Sequence, residues 1–197
     1  MKLNNRGLTL VELIVSFAIL GIVSVAVFGM LLTSTKTYTS LTTSVKLQYE
    51  AQLAMGNIER HILNCNKGLA WNSSDKELFI INEEGTNQKL QVVYLDNTNG
   101  ANELYYGTET LDGSGRAELR FYLLAEHVTG MNVTFTTSDS NEIKQAQLEL
   151  TLTRNGKSYT SKKIIALRNK PLKYNGSLSK QEGSDLYDST VLTPNIP

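Results

Sequence analysis

The sequence predicts an α+β protein: one long N-terminal helix followed by a domain of mainly antiparallel strands. Three observations predict it. Residues 8–32 contain 19 apolar residues out of 25, residues 47–65 repeat apolar side chains at spacings of three and four, and beyond Gly68 the apolar period falls to two. A length of 197 residues suits one compact domain plus an appendage. Lys and Arg number 19 against 19 Asp and Glu, so no net basic field is present to hold phosphates, and no local basic patch stands out. No direct nucleic-acid site is expected. The single cysteine, Cys65, cannot close an intramolecular disulfide, and with only His61 and His127 as histidines no zinc-binding spacing exists. No metal or cofactor is expected.

The first element covers residues 8–32. At helical rise 25 residues reach about 37 Å, enough to cross a hydrocarbon layer of about 30 Å with some tilt. Lys2 and Arg6 precede it with no acidic residue before Glu12, which places the short N-terminus in the cytoplasm and the rest of the chain outside. Hydropathy alone also fits a secretory signal peptide or a plain signal anchor. The run is longer than an ordinary signal-peptide core of about 7–15 residues and lacks a small-x-small site after it. Glu12 is its one charge, and an ionised group inside hydrocarbon calls for a cationic partner at the same depth.

Arg6-Gly7-Leu8-Thr9-Leu10-Val11-Glu12-Leu13-Ile14 resembles the class III signal of type IV pilins and type II secretion pseudopilins. That resemblance implies cleavage between Gly7 and Leu8 by a membrane-embedded prepilin peptidase, N-methylation of Leu8, and a role for Glu12 in setting subunit register by neutralising a neighbour's N-terminal amine. It implies the pilin fold as well. Physical reasons fit these positions. Gly7 lets an extended backbone enter a protease site, and a carboxylate in a helical bundle of low dielectric is stable only where it meets its counter-charge. Cleavage removes Lys2 and Arg6, leaving 17 basic against 19 acidic residues, a formal charge of −2. Leu8 stands where phenylalanine is commonest in the family, and no proline interrupts the apolar helix. Gly21 and Gly29 are either points of close approach for neighbouring helices or weak points of the helix.

No proline occurs before Pro171, so the helix is free to continue. Residues 33–44 hold nine Ser and Thr in twelve, a collar of weak helix formers. Leu47, Ala51, Ala54, Ile58, Ile62 and Cys65 then form one apolar stripe, and Asn64, Asn66 and Gly68 end the helix. Strands are expected at 77–82, 89–95, 103–107, 119–124, 128–136, 145–153 and 158–167, with Asn155-Gly156 turning the last hairpin. The expected divisions are a leader at 1–7, a membrane and assembly half-helix at 8–32, an outer amphipathic half at 33–68, a globular domain at 69–170 and a flexible tail at 171–197.

Residues 48–55 and 58–60 on the helix, and 162–169 near the end of the strands, resemble the minor pilin W and pseudopilin J branch. In the tail, Thr190, Val191 and Leu192 could serve as a partner-docking strand, although composition reads as flexible.

No catalytic set is apparent. Residues 112–116 lack the Lys-Ser/Thr pair of a phosphate loop and read as a turn. Asp96, Asn97 and Asn99 offer oxygens to calcium but miss the EF-hand spacing, so a hairpin turn is the simpler reading. His61, His127 and Cys65 read as core or solvated residues. The expected function is a non-enzymatic structural subunit, a minor pilin or pseudopilin acting at the tip or at initiation of a type IV pilus-like filament. Its expected partners are a prepilin peptidase, other pilins and pseudopilins through the N-terminal helix, the membrane, and indirectly a platform protein and an assembly ATPase. Pilus, secretion pseudopilus and DNA-uptake machinery share this signal, which places the subunit in the cytoplasmic membrane first and then at the cell surface or in the periplasm. The alternative is a membrane-anchored extracytoplasmic binding module that joins no filament.

Overall fold

The structure is a computed structural model and describes residues 9–84, 87–97, 100, 102–111, 117–175 and 193–194. One helix, α1 (Leu10–Leu63), is followed by ten strands: β1 (Gly68–Asn72), β2 (Glu77–Glu84), β3 (Asn87–Asp96), β4 (Glu103–Leu111), β5 (Ala117–Ala125), β6 (Val128–Thr137), β7 (Ile143–Arg154), β8 (Lys157–Ala166), β9 (Leu172–Asn175) and β10 (Thr193–Pro194). By internal contacts the chain forms two compact units, Met1–Thr43 and Ser44–Pro197.

In the first unit the α1 side chains are exposed from Leu10 to Thr39. Its Ser and Thr residues fold their hydroxyls back onto the helix: Ser16 donates to the Glu12 carbonyl, Thr33 to Gly29, Thr35 to Leu31 and Thr42 to Tyr38, at 2.7–3.0 Å. Each of these four hydroxyls is thereby satisfied inside the helix.

In the second unit the α1 stripe predicted from spacing is the buried one. Leu47, Ala51, Ala54, Ile58 and Ile62 are at most 1% exposed, Cys65 beyond the helix end is fully buried, and Met55 joins them. The last helical turn tightens, with Cys65 N–H donating to the Ile62 carbonyl at 3.1 Å, and α1 stops at Leu63. The stripe packs into one core with residues from two sheets. The larger sheet runs β10-β9-β1-β2-β3-β4-β5 and the smaller β6-β7-β8. All pairings are antiparallel except β1 with β9, so the architecture is α+β, a long N-terminal helix on mainly antiparallel sheet, a pilin-like fold. Strand alternation supplies two apolar layers in the larger sheet. Leu78, Ile80 and Val93 enter the core with α1, while Phe79, Ile81 and Val92 form a second cluster under Tyr174, Tyr94 and Phe121.

The seven expected strands are present, each within a few residues of its predicted ends. Asn155 and Gly156 both take positive φ (51° and 72°), the conformation a two-residue hairpin between right-twisted strands requires. The expectation of a wholly flexible 171–197 segment is corrected at 172–175, where β9 pairs in register with Gly68, Leu69 and Ala70 of β1 and buries Tyr174. Gly68 makes that possible, since a Cβ there would lie 2.2 Å from the Tyr174 ring. β10 adds a short pairing to β9. Thr190, Val191, Leu192 and the 112–116 turn lie outside the described residues.

Candidate functional site

The N-terminal unit begins with a capping arrangement that the sequence analysis missed. The Thr9 backbone N–H and the Thr9 hydroxyl both donate to Glu12 Oε2 at 2.9 Å, and the Glu12 N–H donates back to Thr9 Oγ1 at 3.3 Å. Thr9 is thus the N-cap of α1 and Glu12 its third helical residue, a capping box that satisfies amide donors otherwise orphaned at a helix start. The signal was legible as Thr-x-x-Glu immediately before an apolar run. Between residues 9 and 43 the only cation is Lys36, 24 positions along the helix and so about 36 Å away at helical rise. Among the described residues, Glu12 is held by its own helix start, through Oε2.

From Leu10 to Leu32 the side chains are exposed on every face; Leu10, Ile22, Val25 and Met30 are 72–77% exposed. An 18-residue window of α1 has a mean hydropathy of 2.6 with none of it buried, and α1 is the one helix among the described residues long and apolar enough to cross a membrane. A helix apolar all round belongs in hydrocarbon or among other helices. Gly21 and Gly29 have open space about them, consistent with either sequence reading. Gly7 and Leu8, the expected cleavage and methylation positions, lie outside the described residues.

Elsewhere, candidate chemical groups resolve into structural roles. The Cys65 thiol is buried, lies 3.2 Å from the Gly68 carbonyl and 3.4 Å from that of Ile81, and is pushed up to about 11 by burial. His127 sits in the β5–β6 turn with φ 57°, its Nε2 3.9 Å from Glu126 Oε2 and its carbonyl accepting from Thr153 N–H. His61 stacks on Tyr106 with ring centroids 4.2 Å apart, and Tyr106 Oη lies 3.3 Å from His61 Nδ1. Burial, aided by the Arg60 charge, holds His61 below the usual imidazole range. Asp96 closes β3 and Asn97 accepts from Gly100 N–H, as in a turn, while Asn99 lies outside the described residues. No cluster of three or more metal-ligating side chains occurs among the described residues.

The two helix and strand segments noted for their branch resemblance meet in space. Glu59 on α1 pairs with Lys163 on β8 at 2.6 Å across 104 residues of sequence, and Lys162 beside it pairs with Glu149 on β7 at 3.1 Å.

No curated protein matches the chain significantly. Residues 2–33 match the family model for the prokaryotic N-terminal methylation motif, which spans the Arg6-Gly7-Leu8 junction, Glu12 and the exposed apolar half of α1, and which supports a type IV pilin-like origin for this N-terminus.

Proposed function

We propose that the chain is a minor pilin or pseudopilin, a structural subunit that acts at or near the tip of a type IV pilus-like filament. A prepilin peptidase removes residues 1–7 between Gly7 and Leu8 and methylates the new amine of Leu8. The observation that carries this reading is the methylation-motif match over residues 2–33, continuous with a helix that is apolar on all sides and buries none of that surface within the chain. A cut ahead of the apolar segment leaves the helix in the bilayer, and assembly would replace lipid around it with neighbouring helices. In the filament Glu12 keeps the Thr9 contacts on Oε2 and presents its other oxygen to the Leu8 amine of a neighbour, so a wrong stagger leaves two unpaired charges. We place the subunit in the W and J branch on the likeness of residues 48–55, 58–60 and 162–169, segments that the Glu59–Lys163 pair brings together in space. The role is architectural; the outer domain holds the shape presented by the filament.

Co-expression with a prepilin peptidase tests the reading. The native chain shifts to a shorter band and Gly7→Trp stays full length; normal processing of Gly7→Trp would contradict it. Glu12→Ala is expected to be cleaved yet excluded from filaments. Its normal incorporation would remove the register argument while leaving processing intact.

A further inference from the structure

The α1-facing surface of the larger sheet changes character where the helix ends. Beneath α1 the sheet presents Leu78, Ile80 and Val93, but one step further along the same strands it presents Asn82, Glu84, Lys89 and Gln91. The end of α1 and the loop after it add His61, Asn64 and Asn66, enclosing a cleft of about 310 Å³.

The wall of this cleft is fixed by its own hydrogen bonds. Asn66 exchanges two bonds with the Glu83 backbone, donating to its carbonyl at 2.9 Å and accepting from its N–H at 2.8 Å, and the Asn66 N–H donates to Asn82 Oδ1 at 3.2 Å. Asn82 Nδ2 donates in turn to Gln91 Oε1 at 3.5 Å, and Gln91, the one polar residue among the buried described side chains, also hydrogen-bonds the His61 ring. An amide carries two N–H donors and an oxygen with two lone pairs, and these bonds use one donor and one lone pair of Asn82. Donor and acceptor capacity therefore remains on rigidly held groups, while Asn64 adds an exposed amide that no hydrogen bond among the described residues occupies.

The electrostatics favour an uncharged ligand. Lys89 and Glu84 offset each other in the lining, and the positive charge of Arg60, which acts on His61, is opposed by the partially negative C-terminal end of α1 at which the cleft lies. His61 is held toward its neutral form by burial and backed by the Tyr106 ring. Amides beside the His61 imidazole complement vicinal hydroxyls, each of which both donates and accepts, and the volume is at the small end of ligand sites.

We propose that this cleft is a binding site for a neutral saccharide, a mono- or disaccharide unit, gripped by Asn64, Asn82 and Lys89, with the buried Gln91 holding Asn82 and His61 in place. The test uses the full chain in a sugar-free zwitterionic detergent, screened against arrayed neutral and acidic oligosaccharides with saturation-transfer NMR on the hits. Neutral saccharides are expected to bind, and the double variant Asn64→Ala/Lys89→Ala, both on the rim, to weaken binding about tenfold or more with thermal unfolding unchanged. Absence of binding, binding of acidic saccharides alone, or full binding by that double variant would each overturn the proposal.

Discussion

Glu12 Oε2 accepts both the backbone N–H and the hydroxyl of Thr9, each at 2.9 Å, so the one charged residue of the apolar segment is also part of the cap that starts the helix. A carboxylate in this position is favoured before any partner arrives, because it satisfies donors that the first helical turn leaves open. Thr9→Ala removes the reciprocal hydroxyl contact. Amide hydrogen exchange at Glu12 and Leu13 in micelles is expected to accelerate roughly fivefold, the effect of losing an ordinary N-cap; unchanged exchange would show that the cap contributes nothing.

Tyr174 separates a strand from a tail. It is 9% exposed and packs its ring over Gly68, so Tyr174→Ala is expected to destabilise the outer unit by about 3 kcal/mol, read from denaturant unfolding. A loss below about 0.5 kcal/mol would return residues 172–175 to a surface tail.

Cys65 reports on the junction between α1 and β1. With its thiol buried and pushed up to about 11, alkylation by iodoacetamide at pH 8 is expected to be slow in the folded chain and fast in denaturant. Equal rates would mean that the helix end is open.

Acid should loosen the same region through His61. Its folded value is lowered below 6.5, so the unfolded chain binds the proton more readily, and stability rises with pH through this window. The His61 contribution is intact above about pH 6.5 and declines as pH falls toward the lowered folded value. Thermal unfolding of the native chain between pH 7.5 and 5 is expected to fall more than that of His61→Gln. Parallel curves for the two would assign acid sensitivity to other groups.

The elements legible in the sequence are those where one periodicity ran long enough to dominate. The 47–65 stripe and the Asn155-Gly156 hairpin are such cases, and both stand where their spacing placed them. β1 was missed because Gly68–Asn72 is five residues long and buries successive positions, which leaves no alternation to read. β9 was missed because its partner is β1, about 100 residues earlier, and nothing local to Leu172–Asn175 encodes a parallel pairing with so distant a strand. At the N-terminus the Thr9-x-x-Glu12 spacing encodes the cap locally, but it overlaps the charged signal motif, whose carboxylate serves both. The cleft beside His61 was invisible for a different reason: it is made by the helix stopping short of the sheet, a difference of lengths that appears only when both are folded.

The most direct measurement of the central claim is the intact mass and N-terminal fragment spectrum of the chain recovered from membranes of cells that also make a prepilin peptidase. A chain beginning at Leu8 and carrying one methyl group on its amine is the predicted result. A chain retaining Lys2 and Arg6, or one cut after residue 32, would contradict it.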